Sequence, residues 1–322
     1  MKTILTTTAF ALMASTALAD TITLYTSQPN ADAQQTVDAF KAANPDTDVE
    51  WVRDGTTKLM ARLRAEIEAG NPQPDVLLIA DTVTLEGMAQ DGLLTAYQSP
   101  EAANYDSALY SADGFYHSTK LITTGIVYNT GVETAPTSWN DLSDAALKGQ
   151  VAMPSPLYSG AALIHLATLT GDDSLGWGYY EQLAENDARA QGGNGGTFKA
   201  VASGEKPYGM VVDFLAIRNK AEGSPVEFVF PTEGVSYVTE PVAIMSTAKN
   251  VEGAQKFVDF LLSAEGQDVM LEMGYIPARD GMGVPAGFPA REDIKLMDFD
   301  PATALKDAEA NKAKFTELFG AE

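Results

Sequence analysis

The residues equipped for chemistry gather at a few short turns. Gly55-Thr56-Thr57 follows one strand-like run and opens a helical pattern. Ser155-Pro156-Leu157-Tyr158-Ser159-Gly160-Ala161 does the same after another. Hydroxyl groups beside the free N–H groups of a helix start make a place for an anion. Gly55 and Gly160 let a ligand approach the backbone closely. The same turns read equally as plain caps, with Thr57 and Ser159 as N-caps. Tyr25-Thr26-Ser27-Gln28, Asp81-Thr82 and Asp213-Phe214 follow three further strand-like runs. Two carboxylates beside tyrosines suit an ammonium group through charge pairing and cation–π contact. Asp81 also reads as the cap of the helix behind it, and Tyr25 and Tyr158 as core rings.

Catalytic and metal chemistry find little support. No G-x-S-x-G, Walker, H-E-x-x-H or G-x-G-x-x-G pattern is present. The run Gly192-Gly193-Asn194-Gly195-Gly196 is no phosphate loop and reads as a mobile loop or a helix entry. There is no cysteine, and the two histidines are His117 in a loop and His165 in an apolar helix. No histidine partner for Ser159 is evident. Tyr179-Tyr180 sit in a helix with Leu175, Tyr179 and Leu183 in register, so the pair reads as packing and not as an iron pair. Asp307, Glu309 and Glu317 fit a solvated helix face.

The elements that must position these turns alternate. Ile22–Tyr25, Val49–Val52 and Val76–Ala80 read as strands separated by helical patterns over 33–43 and around Leu59, Leu63 and Ile67. Gly125–Tyr128, Val151–Met153, Tyr208–Val212, Val226–Val229 and Val242–Met245 continue the strands. Helices are expected over 161–169, 175–184, 251–262, 265–273 and 301–318. Strand–helix alternation predicts an α/β fold with mostly parallel sheets, whose ligands bind beyond the carboxyl ends of the strands.

The chain has 322 residues and a formal charge of −23. That charge repels nucleic acid at long range. Lys2, the apolar stretch Ile4 to Leu18 and Ala17-Leu18-Ala19 predict a signal peptide over residues 1–19, with Asp20 as the new N-terminus. No run approaches the roughly 20 apolar residues that a spanning helix needs. With no cysteine at the cleavage site, a soluble exported protein is expected.

Leu24-Tyr25-Thr26-Ser27, Gly55-Thr56-Thr57-Lys58-Leu59-Met60-Ala61, Ala80-Asp81, Thr123-Thr124-Gly125-Ile126-Val127-Tyr128-Asn129, Pro154 to Ala161 and Gly274-Tyr275-Ile276-Pro277 resemble the substrate-binding proteins of ABC importers. The order and spacing resemble the ferric-iron-binding-like branch of the type II periplasmic binding proteins. The resemblance implies two α/β lobes, each a mostly parallel sheet flanked by helices, joined by two crossovers. Lobe 1 would be residues 20–124 plus 245–322, and lobe 2 residues 125–244. The implied ligand site is Tyr25, Ser27, Gly55, Thr56, Thr57, Asp81, Thr123, Tyr158, Ser159, Gly160, Ala161, Asp213 and Phe214.

Iron-binding members of that branch carry a tyrosine pair where this chain has Asp213-Phe214-Leu215, so the resemblance turns away from ferric iron. Other members are similar to carriers of phosphorylated or phosphonate compounds. The expectation is a periplasmic monomer, not an enzyme, with no cofactor or metal and no affinity for nucleic acid. It would deliver 2-aminoethylphosphonate to an ABC permease in the inner membrane. Another phosphate ester, a polyamine or ferric iron are alternatives, and a secreted hydrolase using Ser159 a remote one. Ser27, Thr56, Thr57, Ser159 and the N–H groups of Gly160 and Ala161 would hold the anion without an arginine. Asp81, Asp213 and Tyr158 would select the amine.

Overall fold

The computed structural model describes residues 20–321. The signal peptide expected over 1–19 lies outside them. Strands β1 (Asp20–Thr26), β2 (Thr47–Arg53), β3 (Val76–Leu78), β4 (Leu94–Thr95) and β5 (Tyr116–His117) belong to a first sheet. The chain then crosses to a second sheet for β6 (Lys120–Asn129), β7 (Val151–Met153), β8 (Arg189–Ala190), β9 (Tyr208–Val212), β10 (Val226–Val229) and β11 (Ser236–Val238). It returns with β12 (Val242–Met245) to the first sheet, and β13 (Ile276–Pro277) reaches back to the second. The orders are β2-β1-β3-β12-β4, with β5 on β12, and β10-β6-β9-β7-β8, with β11 and β13 on β6.

Helices flank both sheets. They are α1 (Asn30–Ala43), α2 (Thr56–Glu68) and α3 (Thr82–Gln90), then α4 (Gly160–Gly171), α5 (Gly176–Glu185), α6 (Asn194–Ala202) and α7 (Asp213–Ala221). After the return come α8 (Val251–Leu262), α9 (Ala264–Glu272) and α10 (Pro301–Phe319). The α/β class is as expected, but each sheet is mixed where a mostly parallel one was predicted. Parallel pairing is confined to β1–β2, β1–β3, β7–β8 and β7–β9. Every pair made by β6 or β12 is antiparallel. These two strands carry the chain between the sheets and so enter against the local direction. The boundaries expected at 124/125 and 244/245 fall inside them.

Two cores follow from the apolar pattern. β3 is buried on both faces, as its unbroken Val-Leu-Leu requires. Around it pack Ile22, Leu24 and Phe257, and Phe40 meets Phe257 edge-on at 5.0 Å. The second core holds Trp139, Tyr179, Tyr180 and Met210. Tyr179 and Tyr180 pack edge-to-face at 5.5 Å, and both rings are buried, as the packing reading of the pair expects. Helix α10 touches both sides. Leu305 lies against Gly87 of α3, while Phe315 is buried in the second core beside Tyr180. Its far end therefore departs from the first-lobe assignment expected for residues 245–322.

The crossovers are stitched to each other. Thr119 and Lys120 donate their N–H groups to the Thr239 carbonyl at 3.1 and 3.2 Å. Ser118 Oγ bonds Thr239 Oγ1 at 2.7 Å, and Thr119 Oγ1 donates to the Glu240 carbonyl at 2.8 Å. Lys120 and Glu240 form a buried ion pair there, with the ammonium 4.2 Å from the Tyr275 ring centre. Glu240 takes a left-handed backbone, φ 39°.

Candidate ligand-binding cleft

A cavity of about 370 Å³ opens between the two sheets. The ends of β1, β2 and β9 and the starts of α2, α4 and α6 surround it, which is where an α/β sheet presents ligands. Gly55 and Gly193 stand in the N-cap positions of α2 and α6, so neither start has a side-chain cap. In place of a cap, Thr57 N of α2 is held by the Tyr158 carbonyl at 3.2 Å and Gly196 N of α6 closes onto Gly193 O at 3.0 Å. α4 is capped by Ser159, whose Oγ accepts from Ala162 N at 3.3 Å and from Asn194 Nδ2 at 3.2 Å. Asn194 is fixed in turn by Val212 N, which donates to its Oδ1 at 3.1 Å.

Arg53 ends β2 at the cavity wall. Its Nε donates to the Gln28 carbonyl at 2.7 Å, and its Nη atoms reach Ser27 O at 3.4 Å and Tyr158 Oη at 3.3 Å. Lys199 of α6 also lines the cavity. Among the described residues neither cation forms an ion pair. The two sides touch across the opening. Thr57 N and Oγ1 donate to the carbonyls of Tyr158 and Pro156 at 3.2 and 3.0 Å.

Ser27, Gly55, Thr56, Tyr158, Ser159, Gly160, Ala161 and Phe214 line the cavity. Tyr25, Thr57, Asp81, Thr123 and Asp213 are not among its lining residues. Tyr25 is buried under α2, with its hydroxyl donating to Glu66 at 2.7 Å. Thr57 spends its hydroxyl on Pro156. Asp81 caps α3, accepting from Thr84 N at 3.0 Å and from the Thr84 hydroxyl. Asp213 turns inward to Thr123, accepting from its N at 2.9 Å and its Oγ1 at 2.7 Å, while Phe214 N donates to the other oxygen at 2.6 Å. Burial pushes the Asp213 carboxyl up to about 6, although those donors favour the charged form. The two carboxylates expected to select an amine are therefore both committed inside the fold. The carboxylate on the wall is Glu240, already paired with Lys120.

Three cleft features escaped the sequence reading: Arg53, Lys199 and the glycine run. Arg53 stands two residues before Gly55, so the signal was an arginine at the carboxyl end of a strand. The glycine run is the entry to α6, the second of its two sequence readings, and Gly193 to Gly196 line the cavity. His165 offers Ser159 no base. It is buried beside Trp139, bonds Ser236 Oγ at 2.8 Å, and burial lowers its pKa to about 3.

Residues 35–295 match the family described as bacterial extracellular solute-binding protein. The chain belongs to that family. This solute-binding protein is 27% identical over 282 residues to a putative 2-aminoethylphosphonate-binding periplasmic protein of Salmonella typhimurium, covering 83% of this chain and 77% of the relative. It is 28% identical over 246 residues to iron uptake protein A1 of Synechocystis, covering 70% and 67%. Its fold is similar to that of the periplasmic binding protein AfuA of Actinobacillus pleuropneumoniae, solved with exogenous fructose-6-phosphate bound. The TM-score is 0.85 at 24% identity, covering 94% of this chain and 99% of that one. The solute-binding protein thus has the two-lobed type II fold, with one sheet and its helices on each side of the cleft. Its role is to bind a solute for an ABC importer. No helix of the described residues is long and apolar enough to cross a membrane.

Proposed function

We propose that the solute is a small organic phosphate or phosphonate held by its anionic head. The observation that carries this is Arg53, a guanidinium with no carboxylate partner, set among the uncapped starts of α2 and α6 and the Ser159 turn. In a chain of charge −23, a cation that pairs with no carboxylate at a cleft attracts an anion there. Lys199 adds a second positive charge, and each helix start adds a few tenths to ~1 kcal/mol. The named relatives that handle aminoethylphosphonate and fructose-6-phosphate support a phosphoryl or phosphonyl head.

The tail separates two readings. 2-Aminoethylphosphonate brings an ammonium, and the carboxylate that faces it, Glu240, already holds Lys120. A hydroxylated tail, as in a sugar phosphate, asks only for acceptors on that wall. That commitment of Glu240 favours the hydroxylated tail. The lobes would be the two sheets with their helices, hinged at 118–120 and 239–241. The protein would leave the cytoplasm through its 1–19 leader and serve an inner-membrane permease as a monomer without catalysis.

Isothermal titration with fructose-6-phosphate, fructose, 2-aminoethylphosphonate, ethylphosphonate and ferric citrate tests this. Phosphorylated or phosphonate ligands should bind and fructose should not. Equal binding of fructose and its phosphate, or stoichiometric uptake of iron alone, would overturn the reading.

A further inference from the structure

A second cavity, of about 440 Å³, lies on the other side of the hinge. Both lobes build it: Glu86 of α3 and Tyr116 of β5 from one, Tyr237 of β11 from the other, with Tyr110 and Phe299 beside them. The crossover is its shared wall with the cleft. Val238 touches both cavities, Thr239 lines the rear one, and Glu240 lines the cleft. The four rings stay partly exposed at this wall.

No lysine or arginine lines the rear cavity; its formal charges are Glu86 and Asp300. Asp300 is used as the cap of α10, accepting from Ala302 N at 3.0 Å and Thr303 Oγ1 at 2.6 Å, and offsets that helix start. Glu86 accepts from Tyr116 Oη at 2.8 Å and Gln90 Nε2 at 3.1 Å, both neutral donors. Among the described residues no cation pairs with it. Aromatic faces around an uncompensated carboxylate recognise an organic ammonium through cation–π attraction and charge.

We propose that the rear cavity is a second ligand site, for a small organic ammonium ion, and that its occupancy is coupled to the cleft. Both cavities span the lobes, share Val238 and meet along residues 238–240, so rotation at the hinge reshapes both. A cation that prefers one hinge angle shifts the lobes toward it, and the coupling is reciprocal. The site goes beyond the organophosphate reading and is tested without any cleft ligand.

Titrate choline into the solute-free protein by calorimetry, at fixed ionic strength. The control is 3,3-dimethyl-1-butanol, which has the same shape without the charge. Saturable one-to-one binding is expected, about tenfold or more tighter than the neutral analogue. Glu86→Gln and Tyr237→Leu should each weaken it by about tenfold while melting as the parent does. Small-angle X-ray scattering should show a change in radius of gyration at saturating choline. Unsaturable binding, equal affinity for the neutral analogue, or an unchanged radius would overturn the proposal. So would binding that is lost in Glu240→Gln yet intact in Glu86→Gln, which would put the cation in the cleft.

Discussion

At the scale of single residues, the cleft depends on which charges are already spent. Arg53 donates only to neutral oxygens, so its charge is available. Arg53→Ala should weaken the organophosphate by about 1.5–3 kcal/mol, roughly ten- to hundredfold, as for a hydrogen bond to a charged group. Arg53→Lys should recover only part, since a point charge lacks the planar fork. Calorimetric titration of both variants checks this, and parent-like affinity in Arg53→Ala would remove the residue from the site. Asp213 behaves oppositely, because its charge is spent inside. Its carboxyl is raised from 3.8 to about 6, so the folded state holds the proton more tightly than the unfolded chain. That contribution is full below pH 3.8 and is lost as pH rises through 6. Asp213→Asn cannot titrate, so its stability deficit against the parent should widen by about 1 kcal/mol between pH 7 and pH 5. Melting curves at the two pH values decide, and a constant deficit would mean that the shift is absent. The sequence placed Asp213 correctly at a strand end. It could not show that α7 starts on Asp213 itself, turning the carboxylate back to Thr123. Arg53 was hidden for a related reason: a residue at a strand end shows its position, not its partners.

Elements were more legible than side chains. The strands over 151–153, 208–212, 226–229 and 242–245, and the helix over 251–262, stand where periodicity put them. α6 was legible only as the helix-entry reading of the glycine run, because Asn194-Gly195-Gly196 opens it with poor helix formers. Packing supplies what propensity lacks: Phe198 and Val201 bury against β9 and β6. The short strands β5, β11 and β13 were silent, being pairings made by the crossover and not by local pattern. The glycine at the start of α4 carries a test at this scale. A Cβ on Gly160 would sit 2.6 Å from Ala80 O and 2.8 Å from Thr56 Cβ, both on the opposite lobe. The clash exists only when the lobes meet. Gly160→Ala should therefore melt within about 0.5 kcal/mol of the parent without solute. It should also lose most of the thermal shift that a bound organophosphate gives. A lowered solute-free melting point would show that the glycine serves folding instead.

For the whole molecule, the contacts between lobes set the cost of opening. Arg218 of α7 holds Asp32 of α1 through two bonds of 2.9 and 3.2 Å, and Tyr275 bonds the same carboxylate. The guanidinium also lies 5.0 Å from the Phe214 ring centre and 5.3 Å from that of Tyr275. Arg218→Met keeps an apolar chain against the two rings, loses the cation–π contact and leaves the buried Asp32 carboxylate with Tyr275 but no cation, at about 1–3 kcal/mol. The variant should be more open, seen as a larger radius of gyration in scattering, and should bind solute more weakly. An unchanged radius together with unchanged affinity would show that the pair plays no part in closure. The C-terminal helix adds a mechanical consequence. Two bodies joined by a pair of adjacent strands form a simple hinge. Beside the β13–β6 pairing, α10 is a further tie, a rod of about 28 Å seated on α3 near Leu305 and in the second core at Phe315. A stiff rod fastened to both plates of a hinge stops it, unless the rotation axis runs along the rod or one seat slides. Each opening stroke of this molecule must therefore either turn about α10 or drag one of its ends across the lobe beneath it.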